Sequence, residues 1–272
     1  FDLLEWTKSN RKFDDTSSNP GEYDPGTAPY LNEILRLSSP SSGREEVSII
    51  KCAQSGGTVV LESFFGAVPH AVPGPGMIVH PTVKAFKDWC DEKWWPMVYA
   101  TDCLSPDKGG QVLGRTDKAS GGSTADRIRF ARGGWIAGAG ANSAATLRQK
   151  SIRYMGLDDL DGFEDDADKE GDPENLAHQR TKTYRRRGLA ITMRVSTPLL
   201  EGSSRIMKHY ARSDRRRFYH ACLQCGALTD FDWEDVKKAE GPPWKSHVVC
   251  PSCGGPHTHS DKNAMQRAGA WI

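Results

Sequence analysis

The sequence predicts an α/β fold with a mainly parallel sheet flanked by helices, followed by a small C-terminal β appendage. Two observations predict it: apolar segments of strand and helix character alternate through residues 46–214, and two cysteine pairs lie within residues 215–272. The 272 residues suffice for one large domain or two smaller ones. We therefore expect an irregular lead-in at 1–45, a sheet domain at 46–214 and a zinc-ribbon-like element at 215–272.

The expected elements follow one another in a regular order. One helix is predicted in the lead-in, at 29–37. In the sheet domain the predicted strands are 47–50, 77–80, 128–130, 135–137, 152–157 and 189–195, and the predicted helices are 58–68, 83–98, 142–150 and 173–187. Gly133-Gly134 indicates a hairpin between two of these strands, and 102–126 is expected to be a mobile loop. Right-handed crossovers place the carboxyl ends of parallel strands on one rim, where ligands bind in such sheets.

Composition and charge exclude several classes of protein. Hydrophobic residues make up 37%, charged residues 26% and the formal net charge is +1, which excludes a disordered chain and a uniformly basic nucleic-acid coat. Acidic residues concentrate at 158–172, and basic residues follow at 180–187 and 205–217. This segregation indicates either solvated faces or a metal–phosphate site beside a nucleic-acid path. No membrane span or secretory signal is predicted, because no apolar run is long enough and the start lacks the basic-then-apolar pattern.

A phosphate-binding loop is predicted between the first strand and the second helix. Residues 51–58 read KCAQSGGT, in which Gly56, Gly57 and Thr58 supply the bend and hydroxyl of such loops. The usual lysine before the hydroxyl residue is missing. Lys51 is expected to project back across the loop and supply its charge. The alternative is an ordinary strand-to-helix turn.

Paired acids follow the predicted strand 152–157. Asp158 and Asp159 stand where one carboxylate organises Mg²⁺ and the next orients or deprotonates the attacking water. Ser196 and Thr197 end the last predicted strand on the same rim, where hydroxyl groups can sense phosphate or its bound water. Two matching elements in this order favour nucleotide hydrolysis, although paired surface acids are common.

Four of the seven cysteines predict a structural zinc site. They form two CxxC knuckles, each followed by glycine, with the spacing of a four-thiolate zinc ribbon: Cys222, Cys225, Cys250 and Cys253. The alternatives are two disulfides in an exported protein or a redox-active pair. His247, His257 and His259 lie close enough in sequence to substitute as ligands.

The order of these motifs resembles the DNA-packaging ATPase part of phage terminase large subunits of the lambda GpA type. The resemblance runs from about residue 29 to the end and rests on KCAQSGGT, which is similar to the family's KSAQVGGT. Further matching segments are 79–82, 138–148, 158–161, 171–173, 195–198 and the two CxxC pairs. The family implies a P-loop NTPase-like fold of the additional-strand ATPase type.

The resemblance also implies roles for individual residues. ATP-binding positions are Lys51, Cys52, Ala53, Gln54, Ser55, Gly56, Gly57 and Thr58. Thr58 and Asp158 would hold Mg²⁺, and Lys51, Asp158 and Asp159 would be catalytic. Ser196 and Thr197 would form the coupling motif, and Tyr23 or Tyr30 would stack on adenine. Arg148 would either sense phosphate charge or contact DNA.

One residue departs from the family pattern. Asp159 stands where the family carries a catalytic glutamate, and its side chain is one methylene shorter. A displacement of about an ångström of the attacking water can cost on the order of a hundredfold in rate. We expect binding of Mg-ATP with modest hydrolysis.

The expected function is an ATP-driven motor that translocates double-stranded DNA into a procapsid. The implied partners are the terminase small subunit, the portal and further copies of the chain assembled on it, in the host cytoplasm. The alternatives are a non-motor zinc-ribbon nucleic-acid-binding protein with a degenerate NTPase fold, or a superfamily-2-type helicase. The family's endonuclease activity is not expected in residues 1–272, and the start at Phe1 suggests a fragment of a longer polypeptide.

Overall fold

A computed structural model of the chain describes residues 1–116, 122–148, 151–239, 241 and 245–272. The chain divides into two compact units. The first unit comprises Phe1–Tyr23 and Leu35–Ser213, and the second comprises Asp24–Ile34 and Asp214–Ile272. Among the described residues, no helix combines the length and apolar character needed to cross a membrane.

The described elements are as follows. The α-helices are α1 (Leu3–Asn10), α2 (Tyr30–Leu37), α3 (Gly57–Ala71), α4 (Val83–Trp89), α5 (Trp95–Ala100), α6 (Ala144–Leu147), α7 (Pro173–Gln179), α8 (Lys182–Arg185), α9 (Arg205–Ala211) and α10 (Lys262–Arg267). The strands are β1 (Lys12–Phe13), β2 (Gly21–Glu22), β3 (Glu46–Ile50), β4 (Pro75–His80), β5 (Arg127–Arg129), β6 (Trp135–Gly140), β7 (Tyr154–Asp158), β8 (Ile191–Ser196), β9 (Phe218–Ala221), β10 (Leu228–Thr229), β11 (Val236–Lys237), β12 (His247–Val249), β13 (Pro256–His257) and β14 (Ala270–Trp271).

The first unit is built on a six-stranded sheet of order β3-β8-β7-β4-β6-β5. The first five strands in this order are parallel, and β5 pairs antiparallel with β6. The predicted mainly parallel sheet with helices on both faces is therefore confirmed. The predicted hairpin supplies the antiparallel edge strand, because its tight connection cannot make the crossover that a parallel pair requires.

Helices cover both faces of this sheet. Gly138 and Gly156 both lie level with Ile78. On this face a Cβ at Gly156 would lie 2.6 Å from the Phe65 ring of α3, and one at Gly138 would overlap the Phe86 ring of α4. The neighbouring strand residues point to the opposite face, because side chains alternate along a strand. There the buried core joins strand residues to α6, α7 and α9: Met77, Val79, Met155, Leu157, Leu147, Ala177 and Ile206.

The prediction of an irregular lead-in with one helix at 29–37 was wrong for its first residues. Asp2 caps α1, whose residues Leu3, Leu4 and Trp6 are buried. The helix packs against α3, and the following Arg11 forms a buried ion pair of 2.5 Å with Glu62 of α3. A helix of only eight residues gives little periodic signal, and its stability comes from these tertiary contacts.

Two longer predicted helices are interrupted. A π-helical segment, Cys90–Trp94, joins α4 to α5. The predicted helix 173–187 breaks between α7 and α8, where the Arg180 carbonyl accepts a hydrogen bond of 2.9 Å from the Ile152 N–H. This bond ties the break to the start of β7. The predicted helix 142–150 is seen as α6, and its positions 149–150 lie outside the described residues, as do 117–121 of the predicted loop 102–126.

The second unit contains two small antiparallel sheets, β10-β9-β14 and β11-β12-β13. Trp271 of β14 donates its indole N–H to the Tyr30 carbonyl at 2.9 Å, and Arg216 pairs with Glu33. Residues 24–34 therefore belong to the same compact unit as the cysteine-rich segment. The expected element 215–272 includes positions 240 and 242–244, which lie outside the described residues.

Candidate nucleotide site and cysteine cluster

The carboxyl edge of the sheet brings together three of the predicted motifs. Ile50 of β3 lies level with Ser196 of β8, and Asp158 of β7 lies level with Val195. The backbone N–H of Lys51 donates to the Ser196 carbonyl at 3.0 Å. The predicted phosphate loop, strand-end acid and hydroxyl motif therefore start from three adjacent strands of one rim.

The loop 51–56 leads directly into α3. Gly56 adopts a left-handed backbone (φ 79°) immediately before the helix, and Gln54 does so within the loop (φ 61°). The aliphatic stem of Lys51 lies against Gly57, where a Cβ would come within 2.9 Å of Lys51 Cδ. Lys51 thus folds back over the helix start, and a glycine at 57 is needed to let it pass. Cys52, Ala53 and Gln54 are exposed, while Ser55 Oγ donates to the Cys52 carbonyl at 2.8 Å and Thr58 is half-buried.

Lys51 reaches the paired acids. Its Nζ lies 3.1 Å from Asp159 Oδ1, across 108 residues of sequence. The Lys51 side chain is only 16% exposed, whereas the Asp159 side chain is 58% exposed. Asp159 has a left-handed backbone (φ 50°) that turns it away from the strand direction. An ammonium group and a carboxylate open to solvent therefore share the mouth of the loop.

Asp158 has the opposite environment. It is buried at 4% exposure, and burial, followed by the charge of Asp159, raises the pKa of Asp158 to about 7, with Lys51 acting in the opposite direction. A bound cation would favour the ionised form of this carboxylate. The two adjacent acids thus suit different roles. The buried Asp158 suits a metal ligand, and the exposed Asp159 suits a group that accepts a proton.

His80 completes this edge and was not among the predicted site residues. It ends β4, next to β7, and its Nδ1 lies 3.9 Å from Asp158 Oδ2. Burial lowers the pKa of His80 to about 4, so its imidazole is neutral, and it packs among the rings of Phe86 and Trp89. The signal in the sequence was its position as the last residue of a predicted strand, at the ligand-binding rim.

The remaining predicted residues lie in several places. Ser196 Oγ accepts the Asp161 N–H at 3.0 Å, and the neighbouring Thr197 is half-buried. Tyr23 is buried, with its ring 6.4 Å from that of Phe13, and Tyr30 belongs to the second unit, where it packs against Phe218. Arg148, half-exposed, pairs with Glu170.

The four predicted zinc ligands come together in the second unit. All their sulfur atoms lie within 4.8 Å of one another, with Cys222 to Cys253 at 3.7 Å and Cys225 to Cys250 at 4.0 Å. Zn–S bonds of about 2.3 Å in a tetrahedron place sulfur atoms about 3.8 Å apart, so the cluster fits a four-thiolate zinc ion. All seven cysteines are free, which is against the two-disulfide alternative.

Backbone geometry supports both knuckles. Gly226 and Gly254 each have φ 74°, and their N–H groups donate to the carbonyls of Cys222 and Cys250. Hydrogen bonds from backbone N–H groups, that of Cys225 first, lower the pKa of Cys222 to about 5. Of the predicted alternative ligands, His257 comes near, with its Nε2 3.2 Å from Cys222 Sγ. Among the described residues the cluster consists of the four cysteines, and neither His247 nor His259 belongs to it.

The basic segment after α7 forms a surface cavity of about 320 Å³ in the first unit. It is lined by Ser151, Gln179, Arg180, Lys182, Thr183 and Arg186. Neither Lys182 nor Arg186 forms an ion pair with any residue in the described ranges. Two hydroxyl groups beside unpaired cations suit an anionic oxygen ligand.

A parallel sheet with a glycine-turned loop, a folded-back lysine and strand-end carboxylates on one rim is typical of nucleotide-binding α/β proteins. Residues 17–271 match the family described as phage terminase large subunit gpA, ATPase domain, and the chain belongs to this family. The resemblance noted in the sequence is thereby confirmed.

Individual relatives are terminases of known phages. The chain is 27% identical over 240 residues to the terminase large subunit of Enterobacteria phage P21, covering 86% of the chain and 35% of that protein. It is 31% identical over 122 residues to that of Escherichia phage lambda, covering 44% of the chain and 18% of that protein. The chain thus spans about a third or less of these relatives. Among solved structures, it is similar to the large terminase ATPase domain of Thermus phage P74-26, at 16% identity, with 57% of this chain and 61% of that one covered and a TM-score of 0.37.

Proposed function

We propose that this chain is the ATP-hydrolysing motor part of a terminase large subunit that drives double-stranded DNA into a procapsid. The observation that carries the proposal is the meeting of Lys51 with Asp159 over the glycine-turned loop, in a chain of the terminase ATPase family. The small subunit, the portal and further copies of the chain are its proposed partners, in the host cytoplasm. The endonuclease activity of the family is not assigned to residues 1–272.

The residues of the rim divide the chemistry between them. The loop 51–58 holds the phosphates of ATP, and Lys51 supplies the positive charge at the loop mouth. Mg²⁺, bound by Thr58 and Asp158, would neutralise charge that develops on the phosphates. A phosphate group that takes the ammonium of Lys51 frees the Asp159 carboxylate, which then orients the attacking water and accepts its proton.

DNA is proposed to lie against the basic segment. The cations around the cavity at α8 have the chemistry to bind backbone phosphates without reading base sequence. The cysteine cluster is proposed to hold one structural zinc ion, since four thiolates leave no open coordination position.

The proposal is tested by phosphate release from Mg-ATP with and without double-stranded DNA. Lys51→Ala should lower the ATPase rate by about a hundredfold or more, because it removes the charge aimed at the phosphates. DNA binding should be unchanged. Lys84→Ala is the matched control, since Lys84 is an exposed lysine whose partner is Asp88 on its own helix.

Two outcomes would contradict this function. A wild-type chain that binds DNA but releases no phosphate would favour the non-motor nucleic-acid-binding alternative. Strand separation of a forked duplex would favour the helicase alternative. Equal ATPase rates for Lys51→Ala and the control would remove Lys51 from the site.

A further inference from the structure

Asp161 joins the loop of paired acids to the segment that follows β8. Its carboxylate accepts the Leu199 N–H at 3.1 Å on Oδ2 and the Ile206 N–H at 2.9 Å on Oδ1. Its own N–H donates to Ser196 Oγ at 3.0 Å. Burial acts to raise the pKa of Asp161, but hydrogen bonds from Ser204 and from backbone N–H groups outweigh it and lower the pKa. One ionised side chain therefore holds Leu199, near the start of loop 197–204, and Ile206, just after its end.

Residues 199–203 of this segment are exposed, whereas Ser204 is buried. Leu199 and Leu200 are 65% and 69% exposed, among the most exposed large apolar side chains of the described residues. Ser204 caps the following helix α9 through the Met207 N–H. Near its other end α9 is held by His209, whose Nε2 lies 2.8 Å from a Glu174 oxygen. The helix is thus anchored at both ends, and the exposed loop before it depends on Asp161 for its position.

The same turn carries Asp159. A 3-10 turn, Leu160–Gly162, follows Asp159 directly, and the Gly162 N–H donates to the Asp159 carbonyl at 2.8 Å. Leu160, between the two acids, is fully buried in the core. Asp159 and Asp161 therefore lie two residues apart in one turn, and a displacement of Asp159 from Lys51 would reach Asp161 through the backbone of this turn.

From these contacts we infer that Asp161 is a positioning residue that couples the occupancy of the nucleotide site to the exposed loop 197–204. The inference rests on the proposed function, because it requires nucleotide to bind at loop 51–58. Asp161 itself touches neither Lys51 nor the loop 51–58 through any described hydrogen bond. Its substitution should separate nucleotide binding from the response of the loop.

The test is hydrogen exchange measured by mass spectrometry, with and without Mg²⁺ and a non-hydrolysable ATP analogue. In the wild type, the analogue should slow exchange at 51–58 and change exchange at 198–207. Asp161→Asn should keep the protection at 51–58. It should speed exchange at 198–207 by about tenfold, because hydrogen bonds to a charged group are lost, and should abolish the analogue-dependent change there.

A matched control is Asp165→Asn, four residues further along. Asp165 is fully exposed and contacts Arg205 at 3.4 Å, so this variant should behave as the wild type. If Asp161→Asn fails to fold, Ser196→Ala provides a second variant. It removes the hydroxyl that accepts the Asp161 N–H and donates to the Thr197 carbonyl, and it should reduce the response at 198–207.

The outcomes separate the two proposals. Protection at 51–58 with unchanged exchange at 198–207 in the wild type overturns this inference alone. The inference is also overturned if the analogue-dependent change in exchange at 198–207 persists in Asp161→Asn. Where Asp161→Asn does not fold, the inference is overturned if Ser196→Ala keeps this change at its wild-type size. Absence of protection at 51–58 in the wild type overturns the proposed function and the inference together.

Discussion

At the scale of single residues, the two strand-end acids differ more in environment than in chemistry. Asp158 is buried with a pKa raised to about 7 by burial, whereas Asp159 is exposed and paired with Lys51. The pair with Lys51 holds the shorter side chain of Asp159 at the loop mouth. Under the proposed function, the Asp159 carboxylate has to leave Lys51 before it accepts a proton from water.

Lengthening Asp159 should therefore speed the reaction. Asp159→Glu adds one methylene and is expected to raise kcat by up to about a hundredfold, since misplacement of a catalytic group by an ångström costs roughly that much. Asp159→Ala should abolish hydrolysis while binding of nucleotide persists. Steady-state phosphate release measures both, with Asp165→Glu as the control on an exposed acid of the same loop. Unchanged hydrolysis in Asp159→Glu beside loss in Asp159→Ala would show that the aspartate is already well placed.

At the scale of elements, the sequence predicted what depends on local pattern. The apolar runs predict the parallel strands, and the glycine-rich turn predicts the start of α3. Together they predict that Lys51, Asp158 and Ser196 lie on one rim, as the strand register confirms. What it missed depends on contacts across the fold. The helix α1 is stabilised by α3, and the break before α8 satisfies the N–H of Ile152. The approach of His80 to Asp158 depends on strand order, which no local sequence pattern contains. The same holds for the hydrogen bonds between Asp161 and the segment after β8.

The cations at α8 are the proposed contacts for the DNA backbone. The double variant Lys182→Ala/Arg186→Ala should weaken binding of double-stranded DNA uniformly across sequences. It should also lower the slope of log K against log salt by about 2, because each phosphate contact contributes about 0.9. Fluorescence anisotropy over a salt series measures this slope.

The control for α8 is a double variant of exposed cations elsewhere in the first unit, Arg44→Ala/Lys84→Ala. Arg44 bonds the Ser42 carbonyl and Lys84 pairs with Asp88. Equal slopes for the two double variants would mean that net charge alone, and not this segment, sets the affinity. ATPase activity without DNA should be the same in both variants, since neither substitutes a residue of the rim.

At the scale of the whole molecule, the formal net charge of +1 conceals acidic and basic segments whose charges nearly cancel. An acidic run at 158–172 follows β7 at the rim of the sheet, while cations line the cavity at α8. The two compact units also differ in how each is stabilised internally. The first buries an extended apolar core on both faces of its sheet, whereas the second has two small three-stranded sheets and a cluster of four cysteines.

Removal of zinc should therefore act on one unit only. Small domains with little core depend on metal for folding, and binding of structural zinc contributes its free energy directly to folding. We expect one zinc ion per chain, released by a chelator or lost in Cys250→Ser, with residues 214–272 then exchanging amide hydrogens freely. Protection of the central sheet and of loop 51–58 by the ATP analogue should persist. Cys103→Ser is the control, since Cys103 lies outside the cluster. If amide hydrogens of 214–272 stayed protected from exchange without metal, the sheets of this segment would be stable on their own core. Zinc would then not be required for its folding.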